Sequence, residues 1–400
     1  MNKRILILGS GFAGMWAAIS AARFAHLNDG QNIDIIVLAP QPELRIRPRL
    51  YESNVASLVS PLKPLFAATG ITFIKGSVYR IDNNEKIVWY KDAQGETTLT
   101  TYDRLILATG SAVNRAQVTG VDKHTFDIDQ LESAQAFENH LSSLVDKEPT
   151  EARNTVVVCG GGFTGIELAT ELPNRLRALF GGETKTKVVV VDRGATIGGQ
   201  YSEALRDVIK QASDELGIEW HLNAEVAAID ENGVTLKDGS HIASLTVVWT
   251  VGVQANALTS QFSAQRDNQG RLYVDENLQI LGIPNVYATG DVANAVSDNV
   301  GNTALMTCQH AIQLGKFAGN NAAASVMDLT PIPYRQVNYV TCLDLGSWGA
   351  VYTEGWDQKV TSVRQEAKKI KIAITNELIY PPKAEREIAF AAADPLAKFV

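Results

Sequence analysis

Apolar residues along this chain recur with two periods, and the switches between them mark the elements. "KRILILG" near the N-terminus is a short, fully apolar run and predicts a strand. "FAGMWAAISAARFAHL" then runs at helical spacing, and "NIDIIVLAP" supplies the next strand, a strand–glycine turn–helix–strand unit of the doubly wound α/β class. The following "QPELRIRPRLYESN" is irregular and rich in arginine. Strands are expected in "ITFIKG", "KIVWY", "TTLTTY" and "YDRLILATG". From about residue 115 to 150 the chain turns polar and helical. A second unit starts at "NTVVVCGGGFTG". Its helix includes "IELATEL", with Pro173 interrupting the pattern, and "TKVVVVDRG" is its next strand. A helix over about Ser202–Leu216 precedes a meander through "VAAID", "GVTLKDG" and "LTVVWT". "TALMTCQHAIQLGKFAGNNAAA" reads as a helix, and the C-terminal stretch with "VNYVTCLDLG" and "GAVYT" as a separate small unit.

Four hundred residues exceed one ordinary core and predict two or three domains. With 45% apolar and 20% charged residues the chain reads as soluble and globular. A formal net charge of −8 argues against general nucleic-acid binding, which needs a basic footprint. No apolar run approaches the roughly 18 residues of a membrane-spanning helix. The chain enters a strand by about Arg4, so no signal peptide is expected and the expected location is the cytoplasm. Cys159, Cys308 and Cys342 lie far apart, and the six histidines show no ligand spacing, so no metal site is expected.

The internal repeat is the strand–turn–helix unit itself, with Gly9, Gly11 and Gly14 in one copy and Gly160, Gly162 and Gly165 in the other. In a G-x-G-x-x-G turn the first glycine permits the tight turn and the second lets backbone approach a pyrophosphate. The third lets the helix pack on the strand. One such turn is weak evidence. Two, each after an apolar strand and opening a helix, predict two dinucleotide sites. Asp192 closes the strand "VVVVD", where a carboxylate can accept bonds from an adenosine ribose and repel a 2′-phosphate. NADH is expected there, with Arg193 beside it leaving NADPH open. The first cradle has Ala39 where that acid would stand. Two small-residue turns after strands argue that it is used nonetheless: "LILATG" (Ala108, Thr109, Gly110) and "VYATGDVAN" (Thr289, Gly290, Asp291).

The ordered set "GSGFAG", "LILATG", "GGGFTGIELATEL", "VDRG" and "VYATGDVAN" resembles the two-dinucleotide-fold flavoproteins of the pyridine nucleotide–disulfide oxidoreductase superfamily, over about residues 1–330. The resemblance implies two Rossmann-like domains plus a small C-terminal α+β domain, with the first domain interrupted by the second. The FAD domain would comprise 1–115 and 265–330, the NAD(P)H domain 116–264 and the C-terminal domain 331–400. Gly9, Gly11, Gly14, Gly290 and Asp291, with Ala108, Thr109 and Gly110, would hold FAD. Gly160, Gly162, Gly165, Asp192 and Gly252 would hold NADH, and Glu167 would sit near the nicotinamide side.

Disulfide reductases carry a C-x(4)-C pair beside the flavin, whereas "PRLYESNVASLV" has no cysteine. The branch most similar is the type II NADH dehydrogenases and their soluble relatives. "PRLYES" resembles their P-L-L-Y segment, and "TALMTCQHAIQLG" their A-Q-x-A-x-Q-x-G helix, which would bring Gln309 and Gln313 to the acceptor side with His310 next door. A quinone or quinone-like small molecule is the acceptor so implied. A reductase of a small iron–sulfur carrier and a redox-sensing protein like apoptosis-inducing factor are the alternatives. Cys342 lies in a position similar to a redox cysteine of sulfide–quinone oxidoreductases. If "ELRIRPRL" is extended, Arg45, Arg47 and Arg49 alternate onto one face, to bind the FAD pyrophosphate, form surface ion pairs or steer an anionic acceptor. The lysine-rich tail "EAKKIKIAITNELIYPP" is expected to be a solvated helix packed on its domain, with at most peripheral membrane contact. Trp348 and Trp356 are expected to serve packing. Oligomeric state stays open.

Overall fold

In the computed structural model, which describes residues 2–115 and 118–397, the chain opens with strand β1 (Lys3–Leu8), helix α1 (Phe12–Leu27) and strand β2 (Ile33–Ala39). After Lys3 and Arg4 at its start, β1 is apolar because both its faces are covered: Ile5, Leu6, Ile7 and Leu8 are fully buried. Strands β3 (Thr72–Asp82), β4 (Ile87–Asp92), β5 (Thr97–Thr101) and β6 (Arg104–Leu107) follow. The polar stretch after them forms helix α2 (Leu131–Ser143), which buries Leu131, Ala134, Phe137 and Leu141 on one face.

The second unit comprises β7 (Thr155–Cys159), α3 (Phe163–Phe180), β8 (Lys187–Val191), α4 (Glu203–Leu216), β9 (Ile218–His221) and β10 (Thr246–Trp249). Its parallel sheet has the order β9-β8-β7-β10. Strand β11 (Val286–Ala288) then returns beside β6 and completes a seven-stranded sheet, β11-β6-β1-β2-β3-β4-β5. The chain leaves and re-enters this region at one place, where Ser111–Val113 pairs antiparallel with Val253–Ala255. Helix α5 (Cys308–Val326) lies against α1. A Cβ on Gly315 would stand 2.4 Å from the Ala13 carbonyl oxygen, so the two backbones approach to glycine distance. Strands β12 (Val340–Asp344), β13 (Ala350–Glu354) and β14 (Lys359–Val363) form an antiparallel sheet, and helix α6 (Arg364–Ala373) packs against it.

Three local expectations are corrected. Helix α3 does not break at Pro173 but runs through it. An interior proline costs roughly 3 kcal/mol. Ile166, Leu168, Leu172 and Leu176 are all fully buried on that helix, and burial at about 1.5–3 kcal/mol each outweighs the loss. The arginine stretch is not one extended run: Glu43–Arg45 pairs with Val59–Pro61, while Arg47–Arg49 is a single 3₁₀ turn fixed by Pro48. The three arginines therefore diverge. The tail is helical as expected, yet Lys371 on α6 is only 5% exposed. Its ammonium points inward to a partner on α3.

Candidate active site

Each glycine triad divides into packing and open positions. A Cβ on Gly9, where φ is 108°, would lie 2.4 Å from the Ala108 carbonyl oxygen, and one on Gly14 2.1 Å from that of Gly9. In the second cradle, a Cβ on Gly160 would meet Thr250 Oγ1 at 3.0 Å, and one on Gly165 the Gly160 carbonyl oxygen at 1.9 Å. Gly11 and Gly162 differ, since nothing stands within 4 Å of a Cβ on either. They are the N-caps of α1 and α3, and neither helix start is capped by a side chain. Free N–H donors thus face open space, which suits an anionic group. Both cradles fit a pyrophosphate.

Around the first cradle, β6 runs parallel to β1 and β11 parallel to β6, which brings Ala108, Thr109 and Gly110 to the same C-terminal end of the sheet as Gly290 and Asp291. Asp291 accepts a 2.7 Å bond from the Ser111 hydroxyl and stands 3.6 Å from Arg47 Nη1. The Thr109 and Thr289 hydroxyls are buried with no hydrogen-bond partner. Such orphans cost about 1–3 kcal/mol each, and phosphate or ribityl oxygens of FAD would relieve them. The arginine stretch brings only Arg47 here. Arg45 pairs with Glu132 and Glu43, and Arg49 makes a two-bond fork with Glu52.

In the second cradle Asp192 follows β8. Its two oxygens accept 2.6 Å bonds from the Gly161 and Gly194 N–H groups, which fixes the carboxylate at the turn. A cavity of about 580 Å³ lies alongside, lined by residues including Trp220, His221, Asn223, Lys237 and Asp238. Gly252 has φ 63° and open space at its Cβ position. Arg193 is exposed beside Asp192.

Glu167, one turn into α3, is 4% exposed and accepts 2.7 Å from Lys371 Nζ and 3.0 Å from the Asp344 N–H. Burial pushes its carboxyl up to about 7, with Lys371 opposing the rise, while Glu167 in turn holds the Lys371 ammonium above its usual range against desolvation. A second pair lies against the first: Lys368 Nζ donates to both Asp344 oxygens at 2.6 and 2.7 Å. Tyr51 places its ring 5.9 Å from Lys371 Nζ, and burial raises its hydroxyl well above the normal range. From sequence, Lys368 and Lys371 stand out only as part of the lysine-rich tail, and neither they nor Asp344 and Tyr51 are assigned to a site. The one available signal was Lys371 alternating with isoleucines in "KIKI".

Gln309 and Gln313 lie in the first two turns of α5, with Gln313 buried and Gln309 Oε1 buried without a partner. The Cys308 thiol, at the head of that helix, feels the charges of Lys371, Asp291 and Glu167, and α5 packs against the Gly290–Val292 turn of the first cradle. The His310 ring stacks with Tyr339 and lies tilted against Trp356, at 5.5 and 5.7 Å between ring centroids. Burial pushes it down to about 4, which leaves it neutral. Trp348 is buried under Arg364. All three cysteines are free, and burial raises Cys159 to about 12, Cys308 to about 11 and Cys342 to about 12. None is poised as a thiolate. Among the described residues no cluster of His, Cys, Asp and Glu side chains is arranged to hold a metal ion, and no helix is long and apolar enough to cross a membrane.

Residues 3–315 match the family described as pyridine nucleotide-disulphide oxidoreductase. The chain is 40% identical over 403 residues to an NADH dehydrogenase-like protein of Mycobacterium tuberculosis, covering 98% of each. It is 28% identical to a demethylphylloquinone reductase of Synechocystis, with 87% of this chain and 86% of that one covered. Its fold superposes on the NDH2 of Plasmodium falciparum, solved in complex with NADH, with a TM-score of 0.81 at 15% identity and 98% of both chains covered. Two glycine cradles, each between a parallel strand and a helix, and matches of this length and identity make the chain a member of the pyridine nucleotide-disulphide oxidoreductase family, in its type II NADH dehydrogenase-like branch.

Proposed function

We propose that this protein passes electrons from NADH, by way of FAD in the first cradle, to a quinone or quinone-like small molecule, with no protein disulfide in the path. In this reading residues 1–115 and 265–330 form the FAD domain, 116–264 the NAD(P)H domain and 331–400 a cap that supplies Lys371 and Asp344. FAD, when bound, supplies the hydride-accepting and electron-donating chemistry. The relatives named for NADH dehydrogenation and demethylphylloquinone reduction support the donor and the acceptor class.

The observation that carries the reading is the enclosed Glu167–Lys371 pair. Hydride brings two electrons and one proton, whereas a quinone becomes a hydroquinone by gaining two electrons and two protons. One proton must therefore come from the medium. A carboxyl held near neutrality beside a lysine, within electrostatic reach of the head of α5, can hold that proton and release it. Glu167 is protonated below about 7 and ionised above it. The acceptor step is therefore expected to slow as pH rises through that value. In Glu167→Gln the acceptor step should fall by about 10²–10⁴-fold and lose this inflection, while flavin bleaching by NADH stays within about twofold. Stopped-flow traces of the two half-reactions test this. Equal losses in both, or an inflection that survives the substitution, would overturn the role.

Asp192 should select NADH, because a 2′-phosphate would stand against its fixed carboxylate. NADH is expected to exceed NADPH in kcat/KM by at least about tenfold, since like charges at contact cost a kcal/mol or more even when screened. Asp192→Ser should narrow that ratio chiefly by improving NADPH. A ratio unchanged by the substitution would assign selection to Arg193 or to the neighbouring cavity.

A further inference from the structure

We infer that Asp129, on the segment leading into α2, is a positioning residue that aims Arg47 at the pyrophosphate of FAD; the inference rests on the reading of the first cradle as the flavin site. Arg47 is the member of its arginine stretch that reaches this cradle. Its Nη1 lies 3.6 Å from Asp291 and 3.8 Å from where a Cβ on Gly110 would stand, at the turn that closes β6. Its other edge is occupied. Nε donates to the Asp129 carbonyl oxygen at 3.1 Å, and Nη2 donates to Asp129 Oδ1, with Ser111 Oγ at 3.4 Å. A guanidinium is a rigid planar fork. Fixing Nε and Nη2 therefore fixes where Nη1 points, and it points at the cradle.

Asp129 is itself held. Its N–H donates to Asp127 Oδ1 at 3.1 Å, and Gln130 Nε2 donates to its second oxygen at 2.8 Å. Its side chain is 13% exposed, so water competes little for the pair. The same segment clasps the arginine loop at two further points. Glu132 pairs with Arg45 at 2.7 Å, and Glu138 accepts from the Asn54 and Val55 N–H groups. Arg45 and Arg49 are matched to other carboxylates, Arg45 to Glu43 and Glu132 and Arg49 to Glu52. Without Arg47, Asp291 and an incoming pyrophosphate would face each other as like charges. The guanidinium would offset both charges in the orientation that Asp129 imposes.

The test is titration of flavin-stripped full-length protein with FAD, followed by quenching of flavin fluorescence. Arg47→Ala should weaken binding by about 10–100-fold, as expected for losing a charge-assisted contact. Asp129→Ala should weaken it about tenfold, and Asp129→Asn, which keeps the main-chain and side-chain oxygens that accept from Arg47, by no more than about threefold. Combined with Arg47→Ala, Asp129→Ala should add nothing, because it acts through the arginine. Wild-type affinity or tighter binding in Asp129→Ala would mean that this carboxylate merely competes with phosphate, and would overturn the inference. Fully additive losses would overturn it too. NADH binding at the second cradle reports on folding of each variant. If Asp129→Ala does not fold, Arg47→Lys takes its place: it keeps the charge without the fork and should lose about tenfold, and undiminished affinity there would be equally fatal. Wild-type protein that takes up no FAD would instead sink the flavin reading itself.

Discussion

Lys371→Ala is expected to lower the free energy of unfolding by about 3 kcal/mol at about pH 8 and by clearly less at about pH 6. The substitution removes the cation from a pair whose side chains are both buried. What remains is a buried carboxyl on α3, with the Asp344 N–H of β12 as its remaining donor and the place of the ammonium, flanked by the rings of Tyr51 and Phe163, left empty of charge. Its pKa is already raised to about 7 with the lysine present. Loss of the lysine can only raise it further, because the lysine was the attraction opposing desolvation. A carboxyl whose folded pKa exceeds its unfolded one favours the fold at low pH, and that contribution fades as pH rises through the folded value. The variant should therefore be nearly tolerated when Glu167 can stay neutral and poorly tolerated when it must ionise or bind a scarce proton. Urea unfolding at the two pH values measures this directly. A loss independent of pH would mean that Glu167 is not the group left uncompensated, and Lys371→Met, which refills the volume without the charge, would separate packing from electrostatics.

That pair also marks the limit of what the sequence discloses. The cradles were legible because their logic is local: Gly9, Gly14, Gly160 and Gly165 are demanded by contacts within a few residues or with the neighbouring strand end. A doubly wound α/β fold and its family followed from those motifs in order, and the family match over residues 3–315 and the fold match over 98% of the chain bear them out. Glu167 was reachable because it stands in such a motif. Lys371 was not, because its partner is 204 residues away and nothing in "KKIKIAI" tells which lysine turns inward. Helical period gives a face, not a neighbour. The arginine stretch failed for the opposite reason. Alternation in "ELRIRPRL" presumes an extended backbone, and Pro48 together with the pairing of Glu43–Arg45 to Val59–Pro61 bends it within two residues. Pro173 misled in a third way, since local helix propensity was outweighed by four buried side chains on the same helix. Each miss is a tertiary contact overriding a local rule.

The division of the glycines into two kinds yields the other large effect. Gly165→Ala should destabilise the protein by about 3 kcal/mol or more, since overpacking of this severity cannot be relieved by a flexible neighbour. The new methyl would fall 1.9 Å from the Gly160 carbonyl oxygen and 2.8 Å from Thr250 Oγ1, both fixed by the turn that joins β7 to α3. Gly162→Ala is chemically the same change three residues earlier and should do the reverse. Gly162 has φ −78° and ψ −175°, a conformation any residue adopts, and its Cβ would point into open space. Its unfolding free energy should match wild type within about 0.5 kcal/mol. The methyl would nevertheless occupy the volume a pyrophosphate needs to reach the N–H donors at the head of α3, and NADH affinity should fall at least about tenfold. Bound flavin, held in the other cradle, should be unchanged. Thermal unfolding, NADH titration and the visible flavin spectrum of the two variants make the comparison. Normal NADH binding by Gly162→Ala would mean that the open space above that glycine is not where the nucleotide lies, and the second cradle would need another occupant.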